Sequence, residues 1–218
     1  MTFAPNRNTA FATLGAIGLA CAGLVFGAGQ AAAQGAPRVG APAPAFQAID
    51  ADGRTRTLSE FAGKTVILEW SNHDCPYVRK HYTSNTMQTL QRDMTQDGAV
   101  WLTVISSAPD EQGHVEAAEA KELTVKRNAA PSAVLLDPKS TMGRLYGAQT
   151  TPHMYIIDGK GVLAYAGAID DKPSASVSSL KDAKSYVRQA MAELKAGKPV
   201  SQATTKAYGC TVKFAPAT

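Results

Sequence analysis

Residues 65–70 read TVILEW, a short, nearly uninterrupted apolar run with the character of a strand buried on both faces. The run is cut off by Ser71-Asn72-His73-Asp74-Cys75, and Pro76 follows at once. Proline suits the first turn of a helix, where its missing N–H would have no partner anyway. Val78, Tyr82, Met87, Leu90 and Met94 then recur at spacings that keep one side of a helix apolar. The segment therefore reads strand, loop, helix. Cys75 stands at the helix N-terminus, beyond the carboxyl end of a buried strand, where open α/β sheets place their chemistry.

The rest of the chain extends this pattern. Residues 46–49 and 55–58 flank Asp52-Gly53 and read as an N-terminal hairpin. Residues 100–105 form the next strand, 115–127 a helix, 133–136 a short strand closed by Asp137-Pro138, and 140–145 a brief helix leading to Gly147. Thr151-Pro152 introduces a strand at 154–157, which the turn Asp158-Gly159-Lys160-Gly161 joins to a partner at 162–166. A last helix over 180–196 aligns Tyr186, Val187, Ala190, Met191 and Leu194 and ends at Gly197. The expected fold is α/β: a mixed central sheet flanked by helices, with an N-terminal hairpin and a βα insertion.

The first residues stand apart from that domain. No charge occurs between Arg7 and Arg38, and the Ala/Gly/Leu-rich run over 11–26 ends at Ala31, Ala32 and Ala33. This is the pattern of a secretory signal peptide over 1–33. A membrane anchor is the competing reading, but many Gly and Ala residues make the run only weakly apolar. Lipidation at Cys21 is a further alternative. The proline-rich stretch 34–44 reads as a linker, 45–198 as the folded domain and 199–218 as a tail carrying Cys210. Export would place the mature chain in the periplasm or outside the cell, with no stable membrane span after cleavage. Only Cys75 and Cys210 of the three cysteines would then remain, in a compartment that permits disulfides. A net charge of +4 spread along the sequence is no basic stripe, so nucleic acid is not an expected partner.

Cysteine reacts as the thiolate, and the free N–H groups and dipole of a helix N-terminus favour that anion. Arg79, one turn on, adds a positive charge, and Lys80 offers a second. His73 is placed to hydrogen-bond the sulfur or shuttle its proton, or simply to cap the helix. Asp74 acts against the anion. A buried structural cysteine is the alternative for Cys75, although the polar residues before it and the proline after it favour exposure, and with it reactivity.

The stretch WSNHDCPYVRKHY, the segment TTPHMYIID and the tail YGCTVKF together resemble the thioredoxin-like redoxin superfamily. They resemble in particular exported proteins related to the alkyl hydroperoxide reductase/thiol-specific antioxidant group, over about residues 39–214. The resemblance implies a thioredoxin-like fold in which a reactive cysteine, here Cys75, faces a cis-proline loop, here Pro152 preceded by Thr151. It implies thiol–disulfide exchange with a protein or small-molecule thiol or disulfide, an external reductant, and no cofactor. Two departures stand out. Asn72 and Val78 occupy the positions three before and three after Cys75, so there is no Cys-x-x-Cys pair and the centre is monothiol. Leu68 and Asn72 replace the Pro and Thr of the peroxidase pattern, and Pro152 stands about where its Arg would be. Related redoxins often carry Gly-Cys before a basic-aromatic tail, so Cys210 is a candidate second thiol, brought in by a loose connection over 195–205. Burial as a small hydrophobe is the alternative. The competing functions are a thiol peroxidase and a copper- or partner-binding module using His73, Cys75, His81 and His153. His81 lies about 240° around the helix from Cys75, which separates those two.

Overall fold

In a computed structural model, the structure describes residues 1–2 and 37–216. Apart from its first two residues, the segment read as a signal peptide lies outside the described residues. Fourteen labelled elements follow in chain order. They are β1 (Gln47–Asp50), β2 (Thr55–Thr57), β3 (Val66–Trp70), α1 (Pro76–Thr83), α2 (Thr86–Gln96), β4 (Val100–Ile105), α3 (Ala117–Lys126), β5 (Ala133–Leu136), α4 (Thr141–Tyr146), β6 (Thr150–Thr151), β7 (His153–Ile157), β8 (Leu163–Gly167), α5 (Tyr186–Lys195) and β9 (Cys210–Thr211).

Seven strands form one sheet in the order β2-β1-β5-β4-β3-β7-β8, while β6 and β9 pair separately. Strands β3, β4 and β5 run parallel, joined by helical crossovers, and β7 and β8 add an antiparallel hairpin. The inserted strand β5 lies between β4 and β1 and seats the N-terminal hairpin. Alternation along β3 divides the core into two layers, because successive side chains leave a strand on opposite faces. Val66, Leu68 and Trp70 pack with Phe46, Met142, Tyr146 and Tyr155. Ile67 packs on the other side with Met87, Leu90, Trp101 and Val187 from α2, β4 and α5. Each such large apolar side chain stabilises the fold by roughly 1.5–3 kcal/mol when fully buried. No helix among the described residues is long and apolar enough to cross a membrane.

Three readings need correction. The apolar spacing from Val78 to Met94 predicts one helix, but the chain breaks it at Ser84-Asn85, where Asn85 takes a left-handed φ of 62°. Asparagine tolerates that region better than most residues, and Ser84 Oγ donates to the His81 carbonyl at 3.1 Å instead of supporting a continuous helix. The helix expected over 180–196 starts only at Tyr186, after a 3₁₀ segment Val177–Asp182.

The third concerns the two flanking stretches. The stretch read as a linker lies against β8: Gly40 N donates to Leu163 O at 2.8 Å, and Leu163 N to Ala41 O at 2.9 Å. The connection over 195–205, expected to be loose, is tied to the same strand through Ala166 N to Ala203 O at 3.0 Å and Thr205 N to Ala166 O at 3.2 Å. Both segments cover an edge that would otherwise offer unpaired backbone. Val200, Tyr208, Val212 and Phe214 join the core clusters, so the packed unit runs well beyond residue 198.

Candidate active site

Loop 71–74 carries the chain from the end of β3 into α1, and its shape is set by Asn72. The buried Asn72 side chain accepts from Asp74 N at 2.9 Å and donates to Gln112 O at 3.1 Å, while its carbonyl accepts from Cys75 N at 3.1 Å. Cys75 is therefore delivered as the N-cap of α1, with Pro76 in the first turn. It is 0% exposed. Its Sγ donates to the Thr151 carbonyl at 3.1 Å. The Thr151–Pro152 peptide bond is cis. The loop that resemblance assigned to face the reactive cysteine thus touches it through Thr151.

Cys210 reaches the same place along β9. This strand pairs antiparallel with β6, setting Cys210 opposite Thr151 and Thr211 opposite Thr150. Gly209 permits the approach: a Cβ built on it would fall 1.9 Å from the Thr151 carbonyl oxygen, and its φ is +135°. Both cysteines are free thiols, Cys75 buried and Cys210 half-buried. Burial pushes the Cys210 thiol up to about 12, and the neighbouring Cys75 reinforces this through hydrogen bonding and charge. Cys75, Thr151, Pro152 and Cys210 accordingly converge, with Asn72 supporting the loop beneath them.

The other sequence candidates are placed differently. Arg79 is exposed, and its neighbour Lys80 turns into the protein instead. His73 is half-buried, its Nε2 3.5 Å from Asp74 and its carbonyl accepting from Arg127 at 2.8 Å. His153 is buried, with Nδ1 3.3 Å from the Tyr155 hydroxyl, and burial pushes its ring down to about 4. Among the described residues no three His, Cys, Asp or Glu side chains gather as metal ligands, so the four-residue constellation considered for copper is dispersed.

Two buried polar groups escaped the sequence reading. Glu69, six residues before Cys75, is fully buried on β3 and accepts from Trp101 Nε1 at 2.9 Å, Tyr82 Oη at 3.0 Å, Thr103 Oγ1 at 3.1 Å and Gln91 Nε2 at 3.2 Å. Burial raises its carboxyl above the ordinary range, with the donors opposing. A lone charge inside TVILEW was the available signal. The other group comprises Lys80, His81, Asp170 and Tyr208, which only the folded chain brings together.

His81 yields a pH prediction. Its ring is wholly buried, neither nitrogen has a partner, and it is pushed down to about 3, first by burial and then by the Lys80 ammonium. The Asp170 carboxylate, 3.8 Å from Nε2, pulls the other way without offsetting burial. A folded value below the unfolded one of about 6.5 means that the stability contribution is complete above that pH and is lost as pH falls toward 3. At pH 4.5 the loss amounts to about 3 kcal/mol. Glu69 acts in the opposite sense, since its raised value favours folding at lower pH, so a comparison of variants is needed. His81→Leu should match the unmodified protein at pH 7 and exceed it by about 3 kcal/mol at pH 4.5 in paired urea titrations. Parallel pH profiles would show that the ring is not the source.

Solved structures share this architecture. An uncharacterized conserved protein from Geobacillus kaustophilus superposes with a TM-score of 0.71 at 21% identity, covering 83% of this chain and 94% of the other. A hypothetical protein from Sinorhizobium meliloti 1021 gives 0.68 at 20% identity, covering 84% and 98%. A candidate thiol:disulfide interchange protein, DsbE, from Chlorobium tepidum gives 0.50 at 24% identity, covering 60% and 85%. No curated protein matches the sequence at a significant level. The fold is thioredoxin-like, as the resemblance implied. The AhpC/TSA family model matches residues 39–166, more than half of the chain, and this protein is a member of that family.

Proposed function

We propose that the protein is an exported thiol–disulfide oxidoreductase in which Cys75 is the attacking sulfur and Cys210 the resolving one. The observation that carries the reading is the convergence of the two thiols, one capping α1 and the other on a strand paired to Thr151. Family membership and the thioredoxin-like fold support it. The raised value of Cys210 supports the order, because a thiol held near 12 is protonated at neutral pH and is a poor first nucleophile.

In the first step the Cys75 thiolate attacks a substrate disulfide, forming a bond to one sulfur and releasing the other as thiolate. The Cys210 sulfur, giving up its proton, then attacks Cys75, and the second substrate sulfur leaves. The substrate disulfide has gained two electrons, and the protein holds a Cys75–Cys210 disulfide. Two equivalents of an external thiol reset it, leaving as one disulfide. Signal-peptide cleavage near Ala33, with a periplasmic or secreted location, belongs to the same proposal and rests on the sequence pattern.

Mild oxidation with oxidised glutathione, followed by peptide mapping, tests it. The expected product is an intramolecular Cys75–Cys210 disulfide, and Cys210→Ser should instead accumulate a glutathione adduct on Cys75. A Cys210 that stays reduced while Cys75 is fully oxidised would remove the resolving role.

A further inference from the structure

Buried Lys80 and Asp170 form a cluster with half-buried Tyr208 that the exchange chemistry does not use. Lys80 is 2% exposed and Asp170 4% exposed, with Nζ 4.0 Å from the Asp170 carboxylate and donating to the Lys172 carbonyl at 2.8 Å. The same Nζ stands 5.1 Å over the Tyr208 ring. The Tyr208 hydroxyl donates to the Asp170 carboxylate, and Tyr77 packs edge-on against the ring at 5.9 Å. The three residues come from different parts of the chain. Lys80 lies in the helix that Cys75 caps, Asp170 follows β8, and Tyr208 stands two residues before Cys210.

A buried ion pair is weak evidence for stability, because desolvation cancels much of the attraction. What this one does geometrically is fasten the approach to Cys210 onto the helix of Cys75. β9 pairs with β6 through only two residue pairs, and its far side is held by Val212 N to Gln149 O at 3.1 Å and Ala108 N to Lys213 O at 2.8 Å, so the cluster supplies the anchor on the side that leads into Cys210. Cys75 has no exposure and lies against Thr151 and Cys210. The Cys210 side chain, hydrogen-bonded to Cys75, is part of what covers it.

Building on the exchange reading above, we propose that the Lys80–Asp170–Tyr208 cluster is a latch, with Tyr208 the positioning residue that sets both the effective concentration of Cys210 at Cys75 and the access of outside sulfur compounds to Cys75. Held closely, Cys210 displaces a mixed-disulfide partner intramolecularly, so the protein disulfide is favoured over adducts. The balance with glutathione reads this directly. Two glutathione thiols supply two electrons and become one glutathione disulfide, while the Cys75–Cys210 bond opens to two thiols. Loosening the latch moves that equilibrium toward the reduced pair.

Tyr208→Phe tests the latch, keeping the ring against Tyr77 and Lys80 and deleting the hydroxyl. The stability of the Cys75–Cys210 disulfide against glutathione should fall about tenfold, a shift of roughly 30 mV. In a Cys210→Ser background, alkylation of Cys75 by iodoacetamide should quicken by about the same factor. Asp170→Asn, a second variant that removes the counter-charge of Lys80, should move both readouts in the same direction. A merely structural tyrosine would lower the melting temperature and leave both unchanged. Unchanged glutathione equilibrium and unchanged alkylation in both variants would overturn the latch. Absence of any Cys75–Cys210 disulfide in the unmodified protein would overturn the exchange reading instead, and the alkylation rates would still decide the latch.

Discussion

Cys75→Ser should lower disulfide reduction by three orders of magnitude or more, because a serine hydroxyl at the same helix N-terminus supplies no comparable nucleophile. Cys210 is not expected to take over. With its thiol pushed up to about 12, only about one molecule in 10⁵ carries the Cys210 thiolate at pH 7. Part of that shift comes from Cys75 and would disappear with it, but burial is the largest cause and remains. Cys210→Ser should therefore leave the first attack intact and stall the second, a contrast visible as a burst of one released thiol per protein without turnover. Turnover above one tenth of the unmodified rate in Cys75→Ser would move the nucleophile elsewhere.

Gly209→Ala should be nearly as disruptive to the paired reaction while sparing the fold. The added methyl group would meet the Thr151 carbonyl oxygen at 1.9 Å and its carbon at 2.7 Å, on a residue whose φ of +135° already excludes most side chains. Thr151 cannot retreat, since its backbone also holds Cys75 and leads into the buried strand β7. The Cys210 strand must give way. If the clash costs the docked strand about 3 kcal/mol, its population falls by roughly 100-fold and disulfide formation slows in step. Stopped oxidation followed by mass mapping measures that rate, and circular dichroism checks that the sheet persists. An unchanged rate would mean that Cys210 reaches Cys75 by a route other than the ladder with Thr151.

Much of this scaffold is visible in the residues, for a physical reason. Strands β4 and β5 lie at the expected 100–105 and 133–136 because continuous apolar runs bounded by polar turns have few other ways to be buried. Cys75 at a helix N-terminus followed from one proline. The break at Asn85 was hidden, since the apolar spacing continues through it and a single left-handed residue leaves no mark on periodicity. Arg79 and Lys80 illustrate a different limit. Adjacent cations on a helix point about 100° apart, and which one enters the protein depends on Asp170, some ninety residues later. Tail residues 199–208 look unconstrained because their anchors are backbone groups of Ala166 and the side chains of Tyr165 and Asp170, and composition carries no record of such partners.

The position of the N-terminal hairpin carries a consequence for the order of assembly. Strands β1 and β2 pair locally, yet β1 is seated on β5, with Ile49 opposite Leu136 and Asp50 opposite Leu135. The hairpin is therefore made before its seat exists, and a lone two-stranded ribbon is marginal in water. Such distant pairings pay chain-closure entropy before any contact repays it, which places the sheet among slower-folding topologies. During synthesis the hairpin waits, the free edge of β1 unpaired, until β3, β4 and β5 have formed the parallel centre that receives it.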